Sequence, residues 1–428
     1  MNVINFPYRN DWASILARPT STFETIEPLV DEVFEKVKLQ GDAAVREYTA
    51  QFDGIELDSF QVSQAEVDAA SCLVDTELKE AIQIAYSNIN QFHQAQKTAP
   101  VSVETSPGVQ CWQEKRPIQK VGLYIPGGTA PLFSTVLMLA IPAKIAGCQE
   151  IILCSPPNKN GQIAPEILWA AQLCGVTRIF KVGGIQAIAA MTFGTQTIPN
   201  VYKILGPGNQ FVTVAKQKAT QFNVAIDMPA GPSELLVVAD DSAVASYVAA
   251  DLLSQAEHGA DSQVVLVTTS QTLLLEVQSE IQKQLPLLSR NEIASKAMLN
   301  SKLILVENEK EALELIDEYG PEHYIICMNN EDKFVNEIQN AGSVFIGNYT
   351  PESAGDYASG TNHTLPTNGY AKQYSGVNLD SFTKAITFQK ISKDGILQLG
   401  KTIELMAAAE GLDAHKNAVS IRLNDINN

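Results

Sequence analysis

The sequence predicts an α/β protein of parallel sheets covered by helices. Two observations carry this. Short β-rich runs alternate with helical stretches from Val121 onward, and parallel strands need a crossover that a helix ordinarily supplies. The chain is also 428 residues long, too long for one small core and enough for roughly two or three domains.

Taken in order, Met1-Asn-Val-Ile-Asn-Phe-Pro7 has no basic region followed by an apolar run, so no signal peptide is expected. No run of about 18 uncharged apolar residues follows. The nearest, Phe133 to Gly147, is interrupted by Pro142 and Lys144. The expected location is therefore the cytosol. Residues 22–41 read as an amphipathic helix, because Ile26, Val30, Val33, Phe34 and Val37 recur at three- and four-residue steps before Gly41. A longer helical pattern spans 66–96. The strand runs are Val121–Ile125, Ile151–Leu153, Ile179–Val182, Tyr202–Leu205, Leu235–Val238, Val264–Val267, Leu303–Val306, Tyr324–Cys327 and Val344–Ile346. Helical patterns at 163–173, 209–219, 243–257 and 309–318 fall between them. The last fifty or so residues read as a small, polar, helical tail.

Composition narrows the function. Lys and Arg total 30 against 48 Asp and Glu, a net charge of −18. Phosphate backbones and anionic membranes are gripped by clustered cations, so a nucleic-acid or membrane binder is disfavoured. The 6 cysteines include no Cys-x-x-Cys pair, and four sit in apolar surroundings. Free thiols are expected, with neither a disulfide framework nor a thiolate zinc site. Only 5 histidines occur, and four lie in polar, Gly-rich or acidic contexts.

The strand ends fall into two groups. Those between 121 and 206 finish in glycine, at Tyr124-Ile-Pro-Gly-Gly128, Val182-Gly-Gly184 and Leu205-Gly-Pro-Gly-Asn209. Those after 233 finish in acidic, His or Asn residues. This suggests a nucleotide-type domain inserted into one that bears the chemistry. Ligands of open α/β sheets bind beyond the carboxyl ends of strands, where glycine lets a backbone approach phosphate. The Gly-x-Gly-x-x-Gly fingerprint is missing, however, because Phe211 stands where its third glycine would be. These turns alone are equally compatible with ordinary βα connections needing unusual φ values.

Four polar segments hold the candidate chemistry. In Ser254-Gln-Ala-Glu-His-Gly259, Gln255 and His258 share a helix face and suit a metal, although His258 could instead cap a helix end before Gly259. Gly320-Pro-Glu-His323 pairs an acid with an imidazole at a strand edge, suited to acid–base work unless it is only a surface turn. The loop from Ser353 to Pro366 is dense in glycine and hydroxyls, and Asp356 and His363 are candidate ligands or substrate contacts. His415 matters only if the tail packs over an active site, that of another subunit included.

These motifs, with Glu352-Ser-Ala-Gly-Asp-Tyr-Ala-Ser-Gly-Thr-Asn-His363, Ala414-His-Lys-Asn-Ala-Val419 and Tyr124-Ile-Pro-Gly-Gly upstream, resemble the histidinol dehydrogenase family. The resemblance runs from about residue 10 to 422. It implies two Rossmann-like three-layer domains with parallel sheets plus small terminal segments, in an aldehyde-dehydrogenase-like architecture. The division expected is a dimerisation segment at 1–20, a zinc-bearing catalytic domain at 21–123 and 233–377, an NAD domain at 124–232, and a tail at 378–428 serving the partner's site. It further implies a homodimer that oxidises L-histidinol to L-histidinaldehyde and then L-histidine, using one Zn2+ per subunit and two NAD. The zinc ligands implied are Gln255, His258, Asp356 and, from the other subunit, His415. Ser233, His323, Glu410 and the zinc ligands would contact substrate, and Tyr124, Gln186 and Asn209 would contact NAD. His323 would take the alcohol proton and Glu322 would activate water on the aldehyde, with zinc orienting the substrate. Two alternatives remain: a zinc- and NAD-linked dehydrogenase of another amino alcohol, and a catalytically silent zinc- or histidine-binding regulator.

Overall fold

The structure, a computed structural model, describes residues 1–19, 25–127, 130–229 and 231–428. The first three residues of the helix expected at 22–41, and Gly128 of the first glycine turn, lie outside the described residues. The chain forms two compact units, one of residues 1–96 with 118–382 and one of 97–117 with 383–428.

In chain order the strands are β1 (Asn2–Asn5), β2 (Val101–Ser106), β3 (Val109–Pro117), β4 (Lys120–Tyr124), β5 (Glu150–Ser155), β6 (Arg178–Lys181) and β7 (Lys203–Leu205). They continue with β8 (Ala225–Ile226), β9 (Glu234–Ala239), β10 (Gln263–Thr268), β11 (Lys302–Leu305), β12 (His323–Cys327), β13 (Ser343–Ile346) and β14 (Thr383–Ile391). Every strand expected from the sequence is present.

The first unit holds two sheets, both parallel throughout. One runs β6-β5-β4-β7-β8. Its residues alternate between two cores, Ile152 and Cys154 facing one and Ile151 and Leu153 the other, which is the period-two consequence of the pleat. The crossover helix Phe133–Ala146 is apolar nearly all round, with Ser134 to Ala143 all buried. A helix of that kind needs cover on its outer side too. The helices Gln64–Leu73 and Thr76–Ala95 supply it, while Glu27–Gln40 and Asp42–Asp53 cover the opposite face beside Gly184–Phe193. The observed grouping therefore differs from the division expected: the helices of 27–95 and the strand β4 belong with the 124–232 sheet, not with 233–377. The single long helix expected at 66–96 is two, broken at Val74, because Asp75 accepts the Glu77 N–H at 3.2 Å and starts a new helix.

The other sheet runs β1-β11-β10-β9-β12-β13. Its inner strands are buried on both faces, as the continuous apolar runs predict. Residues 1–19, expected to serve dimerisation, have a role in this chain's own core: β1 pairs with β11, and Trp12 and Leu16 pack on Leu236, Val265 and Ile304.

The second unit is a three-stranded antiparallel sheet, β14-β3-β2, with the helices Lys393–Ala409 and Asp413–Asn427. The tail is thus not wholly helical. Its nine strand residues find their partner in β3, some 270 positions earlier, which local pattern cannot reveal. The six cysteines form no disulfide among the described residues.

The turn after β7 shows why glycine is needed there. Gly206 has φ +131, and a Cβ on it would sit 2.1 Å from the Tyr124 carbonyl oxygen. The turn is pinned by Asp227, which accepts the Gly206 N–H at 2.7 Å, and by Lys216, which donates to its carbonyl at 2.8 Å. Gly206→Ala is expected to cost about 2–4 kcal/mol, read as a lower urea midpoint. An unchanged midpoint would mean that β4 and β7 separate readily.

Candidate active site

The amino ends of β9 and β12 lie side by side, with His323 opposite Leu235 in the ladder. This places the backbone of one residue, Glu234, against both Glu322 and His323. The Glu234 N–H donates to Glu322 Oε2 at 2.8 Å, and its carbonyl accepts from His323 Nδ1 at 3.1 Å. A carbonyl only accepts, so Nδ1 carries the proton and Nε2 is the lone-pair nitrogen of the neutral ring. Nε2 is buried without a hydrogen-bond partner among the described residues and lies 3.5 Å from Asp356 Oδ1.

Glu352 and Asp356 are four apart on the short helix Glu352–Tyr357 and face the same way. Glu352 Oε1 stands 3.4 Å from His323 Nδ1, and Glu322 Oε2 stands 3.6 Å from it. Gln255, fully buried on the helix Ala245–Ala256, donates to Glu352 Oε1 at 2.5 Å and accepts the Glu234 N–H at 3.0 Å when its amide faces that way. His323, Glu352 and Asp356 each bring a ligand atom to within 4.8 Å of the others.

Burial alone would lower the His323 imidazole, but Glu352, Glu322 and Asp356 override it and raise it well above its ordinary value. Burial raises the Glu352 carboxyl well above the carboxylate range, opposed by His323 and reinforced by Asp356 and Glu322. Burial also disfavours the Asp356 anion, yet His323, His363 and His258 together hold it below its ordinary value.

His363 joins the two sheets. Its Nδ1 bonds the Asp356 carbonyl at 2.9 Å and its Nε2 meets Thr135 Oγ1 at 3.2 Å, in the first turn of the helix that follows β4. Asn362 donates to the Met138 carbonyl at 2.6 Å. The loop expected at 353–366 is therefore a short helix followed by an ordered strap. It carries the amino edge of the six-stranded sheet to the carboxyl edge of the five-stranded one. The buried polar cluster sits at the amino ends of β9 and β12, not at the acidic carboxyl ends that drew notice in the sequence.

Of the expected zinc ligands, Gln255 and Asp356 fall in this cluster. His258 is exposed just past the end of Ala245–Ala256, its N–H bonded to the Gln255 carbonyl at 3.2 Å, with its charge felt by Asp356. Ser233 is half-buried just before β9. Glu410 and His415 are exposed in the second unit, at the end of Lys393–Ala409 and the start of Asp413–Asn427. Sequence reasoning gave no role to Glu352 or Glu234. The four-residue step from Glu352 to Asp356 was the one readable signal.

A cavity of about 760 Å³ lies beyond the carboxyl ends of β4, β5 and β6, lined among others by Asp53, Tyr124, Gly127, Gly184 and Asn209. Tyr124 Oη accepts the Gly184 N–H at 3.1 Å, and Asn209 caps its helix through the Val212 N–H at 3.1 Å. Gln186 is fully buried; its Nε2 donates to Asp53 at 3.3 Å and its Oε1 has no partner among the described residues. Two of the three residues expected to meet NAD thus line one cavity, and the third touches its wall at Asp53.

Comparison with known proteins covers nearly the whole chain. The family model described as histidinol dehydrogenase matches residues 16–423. The chain belongs to the histidinol dehydrogenase family. Histidinol dehydrogenase of Bacteroides thetaiotaomicron is 58% identical over 426 residues, covering 100% of both chains. That of Escherichia coli K12 is 53% identical over 413 residues, 96% of this chain and 94% of the relative. The crystal structure of histidinol dehydrogenase from Elizabethkingia anophelis matches with a TM-score of 0.98 at 54% identity, over 100% of this chain and 99% of that one. Membership makes the chain an oxidoreductase. Among the described residues, no helix is long and apolar enough to cross a membrane.

Asp53 offers a test of the cavity wall. Burial pushes its carboxyl up from 3.8 to about 6. The folded state therefore holds this proton more tightly than the unfolded state, and stability declines as pH rises from about 4 to about 6. Asp53→Asn is expected to gain on the order of 1 kcal/mol at pH 8, after allowance for partial exposure, and progressively less toward pH 4. Thermal unfolding at several pH values checks this; a gain independent of pH would contradict it.

Proposed function

We propose that the chain oxidises L-histidinol through L-histidinaldehyde to L-histidine, with two NAD and one zinc ion per subunit. One observation carries the reading: the backbone of a single residue, Glu234, holds both the carboxylate of Glu322 (through its N–H) and the imidazole of His323 (through its carbonyl) beside side chains able to bind a metal.

The donor set suits zinc. It combines imidazole nitrogen with carboxylate and amide oxygen, and Asp356 is one of three buried side chains whose ligand atoms lie within 4.8 Å of one another. Gln255, His258 and Asp356 would hold the ion, with His415 of the partner subunit. His323 and Glu352 lie close by. Ser233, Gln255, His258, His323, Asp356, Glu410 and His415 would contact substrate. Tyr124, Gln186 and Asn209 would contact the dinucleotide in the cavity beside β4. When bound, the metal supplies a template for the substrate's nitrogens, and the dinucleotide supplies a hydride acceptor.

The chain's own side chains manage the protons. His323 Nε2 takes the alcohol proton, since Nδ1–H is committed to the Glu234 carbonyl. Glu322 then draws a proton from water, whose oxygen adds to the aldehyde carbon, and His323 assists. Two hydrides leave in all, and the added water becomes the second carboxylate oxygen. A closed pocket limits escape of the aldehyde.

We further propose that residues 124–232 serve the dinucleotide and 233–377 the chemistry. Residues 1–20 would take part in dimerisation, and 378–428 would reach the partner's site in a homodimer. The exposed Leu405, Met406, Leu412 and Ile421 of the second unit fit such a covered surface. The cytosol suits a biosynthetic dehydrogenase of this kind.

The deciding assay is NADH yield per L-histidinol consumed. Two are expected, lost on chelation and restored by zinc. One NADH with free aldehyde accumulating, or full turnover without metal, would overturn the proposal, and no NADH at all would favour the silent regulator. Glu322→Gln is expected to slow aldehyde oxidation by about 100-fold or more while sparing the alcohol step; equal losses on the two substrates would remove Glu322 as the water activator.

A further inference from the structure

Glu234 is itself held in place, from a distant part of the chain. Arg18 donates from Nε to Glu234 Oε1 at 2.6 Å and from Nη2 to Oε2 at 2.9 Å. The same Nη2 donates to the Tyr319 carbonyl at 2.8 Å, and the guanidinium lies 4.0 Å over the Tyr319 ring. Glu234 is almost wholly buried, and its Oε1 also accepts the Asn368 N–H at 2.6 Å. The neighbouring Ala17 carbonyl is fixed by Gln263 Nε2 at 3.0 Å, and Gln263 is fixed by Tyr319 Oη at 2.9 Å. A residue of the amino-terminal segment therefore clamps a side chain whose own backbone grips both Glu322 and His323.

We infer that Arg18 is a positioning residue: its guanidinium fork locks the Glu234 side chain and thereby the Glu234 backbone, whose N–H aims Glu322 and whose carbonyl directs the lone pair of His323 Nε2 at the substrate. The inference rests on the reading of Glu322 and His323 as the acid–base pair. A planar fork is needed because two parallel bonds fix orientation as well as distance, and the ring beneath fixes the plane. A lysine would keep the charge but make a single bond, leaving the carboxylate free to pivot. Errors of about 1 Å at a proton-transfer site cost about 100-fold in rate.

The test uses the full-length, zinc-loaded protein. Arg18→Ala is expected to lower kcat for L-histidinol by about 10- to 100-fold, with zinc content and the KM for NAD unchanged. Methylguanidinium should restore kcat several-fold, and methylammonium should not. Arg18→Lys, which keeps the buried charge and serves if Arg18→Ala fails to fold, should lose kcat with little change in melting temperature. Wild-type kcat in Arg18→Lys, or losses that track melting temperature alone with no response to methylguanidinium, would overturn the inference. Glu322→Gln and His323→Asn are assayed in parallel. If both keep full turnover, the acid–base reading fails whatever Arg18 does; if both are inactive while Arg18→Lys is normal, only the role of Arg18 falls.

Discussion

Repulsion within one buried pocket is the constraint on which the site depends. Glu322, Glu352 and Asp356 all have carboxylate oxygens within 3.6 Å of the nitrogens of His323. At a few ångströms and low effective dielectric, like charges cost several kcal/mol unless cations or protons intervene. The neutral ring of His323 offsets none of this charge, and its protonated form only part. The pocket is therefore built to welcome positive charge, and a divalent ion together with the ammonium of an amino alcohol would supply it. Burial drives Glu352 upward, with the neighbouring carboxylates adding to it, while against the same burial the hydrogen bond and charge of His323, with His363 and His258, hold Asp356 down one helical turn away.

Such a pocket needs a rigid frame, and the two parallel sheets provide one. β9 and β12 are neighbours, buried along their whole length. Their amino ends cannot drift apart without breaking a ladder sealed by helices. The five-stranded sheet presents its carboxyl edge to a cavity suited to a dinucleotide. The strap through Asn362 and His363 ties one edge to the other by way of Met138 and Thr135. Glu322 and His323 on one sheet and the cavity beside the other are thus brought into a common frame by a few side-chain bonds.

Much of this was legible in the sequence, for identifiable reasons. Parallel strands buried on both faces, such as β9 and β10, write themselves as unbroken apolar runs, so both sheets could be read. Glycine turns marked the carboxyl edge of the five-stranded sheet because Gly206 has no room for a side chain. The Glu-His dipeptide stood out because nothing structural required it. What could not be read depends on distance along the chain. β14 is alternating and largely exposed, and only its pairing with β3 makes it a strand. The covering role of the helices at 27–95 follows from the all-round apolarity of helix Phe133–Ala146, a demand made by one segment and met by another. Glu234 and Glu352 look like ordinary surface acids until folding buries them. His258, by contrast, lies just past a helix end, as one of its two sequence readings had it, and influences Asp356.

The edge strand β1 has a consequence for biogenesis. Its partner β11 begins 297 residues after β1 ends (302 − 5), and the segment following β1 reaches its own contacts only once β9 and the Tyr319 region exist. During vectorial synthesis β1 must remain unzipped, with Trp12 and Leu16 bared, until β11 has emerged. Long-range closure of this kind is slow and prone to mispairing. The segment that bears Arg18 can therefore reach Glu234 and Tyr319 only after those distant residues have themselves emerged and taken their places.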